Sequence, residues 1–168
     1  MNHKIMVLLG SQSDLEVTQK GAEILREFAI PFTLRIASAH RAPDLVHDLV
    51  REFESNGGQV VICVAGMSAH LAGVVAALTC LPVLAVPIAG APTAGLDALL
   101  SMGQMPGGIP VATMTFGRAG FTNAALFAAQ ILALSDDRLG QCFKEYKAAM
   151  AREVIAADEK HRIDFKGG

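Results

Sequence analysis

Three short polar segments, each placed directly after an apolar run, carry the side chains of this chain that could do chemistry. The first is Gly10-Ser11-Gln12-Ser13-Asp14. Its glycine lets the backbone approach a ligand, its hydroxyls and the amides of a following helix suit a phosphate, and Asp14 suits ribose hydroxyls. The same residues would serve equally as a helix cap, with Ser13 or Asp14 accepting the first free amides. The segment lacks the second glycine of a dinucleotide fingerprint and the lysine of a Walker loop. The second segment is Ser38-Ala39-His40-Arg41. Histidine titrates near neutrality, so His40 could give and take a proton within one turnover. Arg41 offers a planar donor fork for a phosphate or carboxylate. The competing reading is an exposed loop pair with no chemical task. The third runs from Gly66 to Gly73 and includes Met67, Ser68, Ala69, His70 and Leu71. Small residues at a strand-to-helix turn allow close backbone approach, and His70 adds a second imidazole; a tightly packed helix cap would use the same residue types. His3, His47 and His161 fall on the terminus or on polar helix faces and read as solvated.

Other chemistries find no residues to carry them. There is no carboxylate pair, no Ser-His-Asp order and no nucleophilic cysteine context. The three cysteines, Cys63, Cys80 and Cys142, are far apart, with no CxxC or Cys/His ligand spacing, so no metal site is expected. Cys63 lies in an apolar run and reads as a small core residue. A net charge of −2, no Trp and a single Tyr leave neither a basic footprint nor a stacking platform for nucleic acid.

Composition bears on the environment. Hydrophobic residues make up 52% and charged ones 18%, with a mean hydropathy of +0.40. That is too apolar for a disordered chain and unusually apolar for a soluble monomer. The longest candidate span, Val74 to Ala91, is broken by Pro82, Pro87 and Gly90, and a bilayer needs about 20 uninterrupted apolar residues. Met1-Asn2-His3-Lys4 runs straight into a strand-length segment with no cleavage site. The balance points to a soluble, cytoplasmic homo-oligomer.

The elements that must position the polar segments follow from periodicity. Lys4 to Leu9 reads as a buried parallel strand. After Asp14, Val17, Ile24, Leu25 and Phe28 form an apolar helical face. Pro31 to Ala37 is a second strand, and Pro43 opens a helix carrying the amphipathic run Asp44 to Ser55, ended by Gly57-Gly58. Gln59 to Ala65 and Pro82 to Pro87 are strands flanking a small-residue helix around Leu71 to Leu78. Ile109 to Thr115 is a fifth strand, Gly120 to Leu134 a helix buried on most sides, and Asp136 caps a final helix reaching about Lys160. The apolar stretches Pro87 to Gly95 and Ser101 to Pro110 read as loops that wall a site or an interface. Alternating strands and helices predict one domain, residues 1–168: a three-layer αβα sandwich with a parallel, flavodoxin-like sheet. The α/β core would span 1–134, and a helical arm, 135–163, would pack on neighbouring subunits.

Taken together and in order, these segments resemble one family. Gly10-Ser11-Gln12-Ser13-Asp14, Ser38-Ala39-His40-Arg41-Ala42-Pro43, Ala69-His70-Leu71 and the block Gln104 to Thr113 are similar to the phosphoribosylaminoimidazole carboxylase catalytic-subunit family of purine biosynthesis. Asn123 to Leu126 and Ala128 to Ala133 extend the resemblance over nearly the whole chain. It implies a mutase that moves a carboxylate from the exocyclic N5 nitrogen of N5-carboxyaminoimidazole ribonucleotide to a ring carbon. The alternative within the family is direct carboxylation of aminoimidazole ribonucleotide by CO2. Most segments resemble the mutase class; Ser68 is similar to the carboxylase class, and Ala72 replaces the usual proline. The resemblance implies His40 as acid and base, and Ser11, Asp14 and Arg41 at the ribose phosphate with Ser13 and Ser38 nearby. Gly10, Ala69, His70 and Leu71 would complete the substrate-binding set. No cofactor and no metal are implied, and the assembly would be a homo-octamer. A non-catalytic nucleotide-binding module of flavodoxin-like architecture is the reading from a different class.

Overall fold

In the computed structural model the structure describes residues 3–90 and 93–165. Met1 and Asn2, and Ala91 and Pro92 of the apolar Pro87–Gly95 stretch, lie outside the described residues.

Five strands form a parallel sheet: β1 (Ile5–Leu9), β2 (Phe32–Ile36), β3 (Val60–Gly66), β4 (Val83–Ile88) and β5 (Ala112–Thr113), in the order β2-β1-β3-β4-β5. This is the doubly wound order in which direction reverses between β1 and β3. Leu9 lies between Ile36 on one side and Val64 on the other, so β1 and β2 end level, β3 runs two residues further to Gly66, and all three release their chains at one edge.

Side-chain alternation divides the core in two. Ile5, Val7, Leu9, Val60, Ile62 and Val64 face helices α1 (Gln19–Glu27) and α5 (Gly117–Ala133). Met6, Leu8, Val61, Cys63 and Ala65 face α2 (Pro43–Ser55), α3 (Leu71–Leu78) and α4 (Leu96–Gly103). Both faces of β1 and β3 are therefore buried, which is why their sequences are continuously apolar. Helices α1 and α5 meet closely because Gly21 has no side chain. A Cβ there would lie 2.5 Å from Cδ1 of the fully buried Phe121.

Several sequence expectations are corrected. Asp14 does not begin the first helix. A 3₁₀ helix, Gln12–Thr18, precedes α1, and its N-cap is Ser11. Ser101 to Gly103 belong to α4 rather than a loop. The fifth strand shrinks to two residues because Pro106 and Pro110 lack an N–H and Ile109 donates to the Pro106 carbonyl in a turn. Helix α5 is buried along one broad stripe, Gly120, Phe121, Ala124, Ala125, Ala128, Ala129 and Leu132, rather than on most sides; Phe127 is 38% exposed.

The C-terminal helix α6 (Asp137–His161) divides midway. Its N-cap Asp136 accepts from the Leu139 amide. Leu139 is buried, Arg138 donates to the Phe28 carbonyl at 2.8 Å, and Tyr146 meets Phe28 edge to face. From Ala151 to His161 every residue is exposed. Among the described residues no helix is long and apolar enough to cross a membrane.

Candidate active site

A cleft of about 610 Å³ opens at the carboxyl edge of the sheet, over the point where strand order reverses. That is the position at which doubly wound sheets bind ligands, and the volume suits a small organic molecule. Its walls are the segments leaving β1, β2, β3 and β4, and all ten residues singled out by sequence line it.

From β1 come Gly10, Ser11, Ser13 and Asp14. Ser11 and Asp14 form a capping box: the Ser11 hydroxyl accepts from the Ser13 amide at 3.3 Å, and Asp14 Oδ2 accepts from the Ser11 amide at 3.1 Å. The Ser13 hydroxyl donates to Ser11 Oγ at 2.9 Å or, in its other rotor position, to Asp14 Oδ1 at 3.3 Å. The capping reading therefore holds, and Ser11 is the cap. The carboxylate of Asp14 is buried, and burial pushes it above its ordinary value of 3.8 while the Ser13 hydroxyl and Ser11 amide pull the other way.

From β2 come Ser38, Ala39, His40 and Arg41. Arg41 clamps two walls together: its Nη2 donates to the Gly10 carbonyl at 3.2 Å and its Nε to Ser38 Oγ at 3.4 Å. The Arg41 amide also donates to Ser38 Oγ, at 3.3 Å. The rest of the guanidinium fork stays available to an anion in the cleft.

From β3 come Gly66, Met67, Ser68, Ala69, His70 and Leu71, the last two opening α3. Gly66 packs closely on β4: a Cβ there would lie 3.3 Å from the Ile88 carbonyl oxygen, which would have to give by a few tenths of an ångström. Met67 is left-handed, with φ 57°, and 72% exposed. A side chain in this backbone region costs about 1–2 kcal/mol. The His70 amide then donates to the Ser68 carbonyl at 2.8 Å, which turns the chain into α3. Ile88, Ala89 and Gly90 after β4 add an apolar wall. The second apolar stretch, Ser101 to Pro110, does not reach the cleft.

The two imidazoles stand together. His40 Nε2 and His70 Nδ1 are 2.8 Å apart, with ring centroids separated by 5.0 Å and planes at 86°. Sequence reasoning placed both at the same sheet edge but gave no sign of this contact across 30 positions. Met67 and Ser68 of the third segment and Ile88–Gly90 of the apolar Pro87–Gly95 stretch, read from sequence as possible walls but not as substrate-binding residues, also line the cleft. Among the described residues no group of three or more His, Cys, Asp or Glu comes together as a metal site.

Fold and cleft define a doubly wound α/β protein that presents a hydroxyl-rich capped turn, an arginine fork and a pair of imidazoles to one small ligand. Residues 4–153 match the family model described as AIR carboxylase, and the chain belongs to that family. It is 48% identical to the N5-carboxyaminoimidazole ribonucleotide mutase of Methanocaldococcus jannaschii, over 96% of this chain and 99% of the relative. Identity to the Escherichia coli K12 enzyme of the same name is 44%, over 90% of each chain. The crystal structure of Treponema denticola PurE superposes with a TM-score of 0.86 at 32% identity, covering 95% of this chain and 98% of that one.

Proposed function

We propose that this protein is an N5-carboxyaminoimidazole ribonucleotide mutase of purine biosynthesis, an isomerase in which His40 carries the proton. The observation that supports the reading best is the convergence in one cleft of an anion-binding half and a proton-transfer half. Arg41 and the Ser11 hydroxyl suit the phosphate, Asp14 the ribose hydroxyls, and Ser13 and Ser38 stand beside them. Gly10, Ala69, His70 and Leu71 shape the space around the reacting ring.

The reaction needs one proton, used twice. Protonated His40 delivers it to the carboxylated amine as the C–N bond breaks, and the bonding pair returns to nitrogen, releasing CO2. The electron-rich ring carbon then attacks CO2 and forms the new C–C bond. Neutral His40 removes the hydrogen from that carbon, which restores aromaticity and returns the histidine to its starting state. CO2 must stay in place between the two steps, and Ile88, Ala89 and Gly90 beside Gly66 and Ala69 bring no polar side chain to that wall, which favours a dry space for it.

The working assembly in this reading is a homo-octamer. The far half of α6 carries exposed Met150, Val154 and Ile155, apolar surface that a neighbouring copy would cover. Turnover of purified protein is to be compared on two substrates. Rapid conversion of N5-carboxyaminoimidazole ribonucleotide, with aminoimidazole ribonucleotide plus CO2 slow, is the expected result. The reverse preference would make the protein a direct carboxylase and point to Ser68 in the cleft wall. Turnover of neither would refute both.

A further inference from the structure

We infer that His70 is a positioning residue for His40, pairing the two rings in matching tautomers and leaving only Nδ1 of His40 to meet the substrate; the inference rests on the assignment of His40 as proton carrier. The contact between His40 Nε2 and His70 Nδ1 is 2.8 Å, a full hydrogen-bond distance. One of those nitrogens must bring a hydrogen and the other a lone pair. If His40 Nε2 holds the hydrogen, His70 Nδ1 is bare and its own hydrogen sits on Nε2. If His70 Nδ1 holds it, His40 Nε2 is bare and its hydrogen sits on Nδ1. Either way the two neutral rings carry the same tautomer. A mixed pair would set two hydrogens or two lone pairs against each other.

The protonation states follow. A pair with one added proton keeps the contact, because one nitrogen of the four remains bare to accept. A doubly protonated pair cannot keep it. While the contact lasts, His40 has only Nδ1 free to exchange a proton with substrate, so His70 decides which atom of His40 does the chemistry. The other charged or titratable groups on the described cleft walls are Arg41, tied to Gly10 and Ser38, and Asp14, tied to Ser11 and Ser13. The segment after β4 brings none. Neither Asp14 nor Arg41 is hydrogen-bonded to an imidazole.

Nitrogen-15 NMR of the histidine rings in the full-length, substrate-free protein tests the pairing. The expected spectrum shows His40 and His70 as matching tautomers. Mixed tautomers would overturn it. In His70→Leu, His40 should lose its matched tautomer, with kcat reduced roughly 10- to 100-fold and KM little changed. His70→Asn, whose amide reaches the same position, should restore part of that loss. An unchanged His40 tautomer and an unchanged kcat–pH profile in His70→Leu would refute the inference. The spectra of the wild-type protein need neither substrate nor a variant that folds, so a wrong substrate assignment leaves this result standing.

Discussion

Replacing Arg41 by lysine keeps the charge and removes the fork, which makes it the sharpest probe of the anion-binding half. In the free protein two of the guanidinium donors are engaged, by the Gly10 carbonyl at 3.2 Å and by Ser38 Oγ at 3.4 Å. The remainder can meet a phosphate side by side, with the loops after β1 and β2 held in place by the same plane. A lysine ammonium reaches one oxygen of the phosphate and cannot span Gly10 and Ser38 while doing so. The substitution thus forfeits at least one charge-assisted hydrogen bond, worth about 1.5–3 kcal/mol. At about 1.4 kcal/mol per decade this is a roughly 10- to 150-fold rise in KM. His40 is untouched, so kcat should change little. Steady-state kinetics on N5-carboxyaminoimidazole ribonucleotide measure both constants, and Arg41→Ala should raise KM further. If Arg41→Lys raised KM less than about threefold, the phosphate would be held elsewhere and the division of the cleft would be wrong. A fall in kcat alone would mean instead that Arg41 acts on the reacting end.

Four further outcomes are expected. Gly21→Ala gains about 0.5–1 kcal/mol of helix propensity but drives a Cβ to 2.5 Å from the immobile Phe121 ring. Overpacking costs about 1–3 kcal/mol, so Tm should fall; a rise would refute the packing argument, and Phe121→Leu should relieve the effect. Met67→Gly releases a left-handed side chain and should leave thermal stability unchanged or raise it by up to about 1 kcal/mol; a clear loss would show that the Met67 side chain makes contacts that matter. The carboxyl of Asp14 should titrate above its ordinary 3.8 when followed by carbon-13 NMR. The folded state then holds the proton more tightly than the unfolded one, so this group favours folding most at low pH and its contribution declines as pH rises from 3.8 through the folded value. A midpoint at or below 3.8 would contradict the effect of burial. Deleting residues 150–168 spares buried Leu139 and the Tyr146–Phe28 contact, so the truncated protein should keep its fold and lose oligomeric order by light scattering. An intact assembly would remove the arm from the interface.

Much of the site is local chemistry, and local chemistry is written in the order of residues. Runs such as Ile5–Leu9 and Val60–Val64 are apolar at every position, which only a doubly covered parallel strand tolerates. In such a sheet the polar residue after each strand falls at one edge. That places Ser11, Asp14, His40, Arg41 and His70 at one sheet edge, while their roles rest on the family resemblance. Short or weakly marked elements were harder. Helix α4 has eight residues and a glycine cap with no side-chain hydrogen bond, so nothing in Leu96–Gly103 announces it. The two residues of β5 are a strand only because β4 lies beside them.

What only the tertiary structure decided is distance across the chain. The roles open to His40 as a lone imidazole follow from its side chain; its pairing with His70 depends on β2 and β3 flanking β1 and ending at the same sheet edge and on the Ser68 turn that starts α3. The same holds for Arg41, whose sequence neighbours gave a fork but not the Gly10 carbonyl that orients it. Residue type and periodicity are properties of a few consecutive positions, and these the sequence determined by itself. An ångström-scale contact between residues 30 apart is set by how helices and strands pack, and packing is settled by the whole core at once.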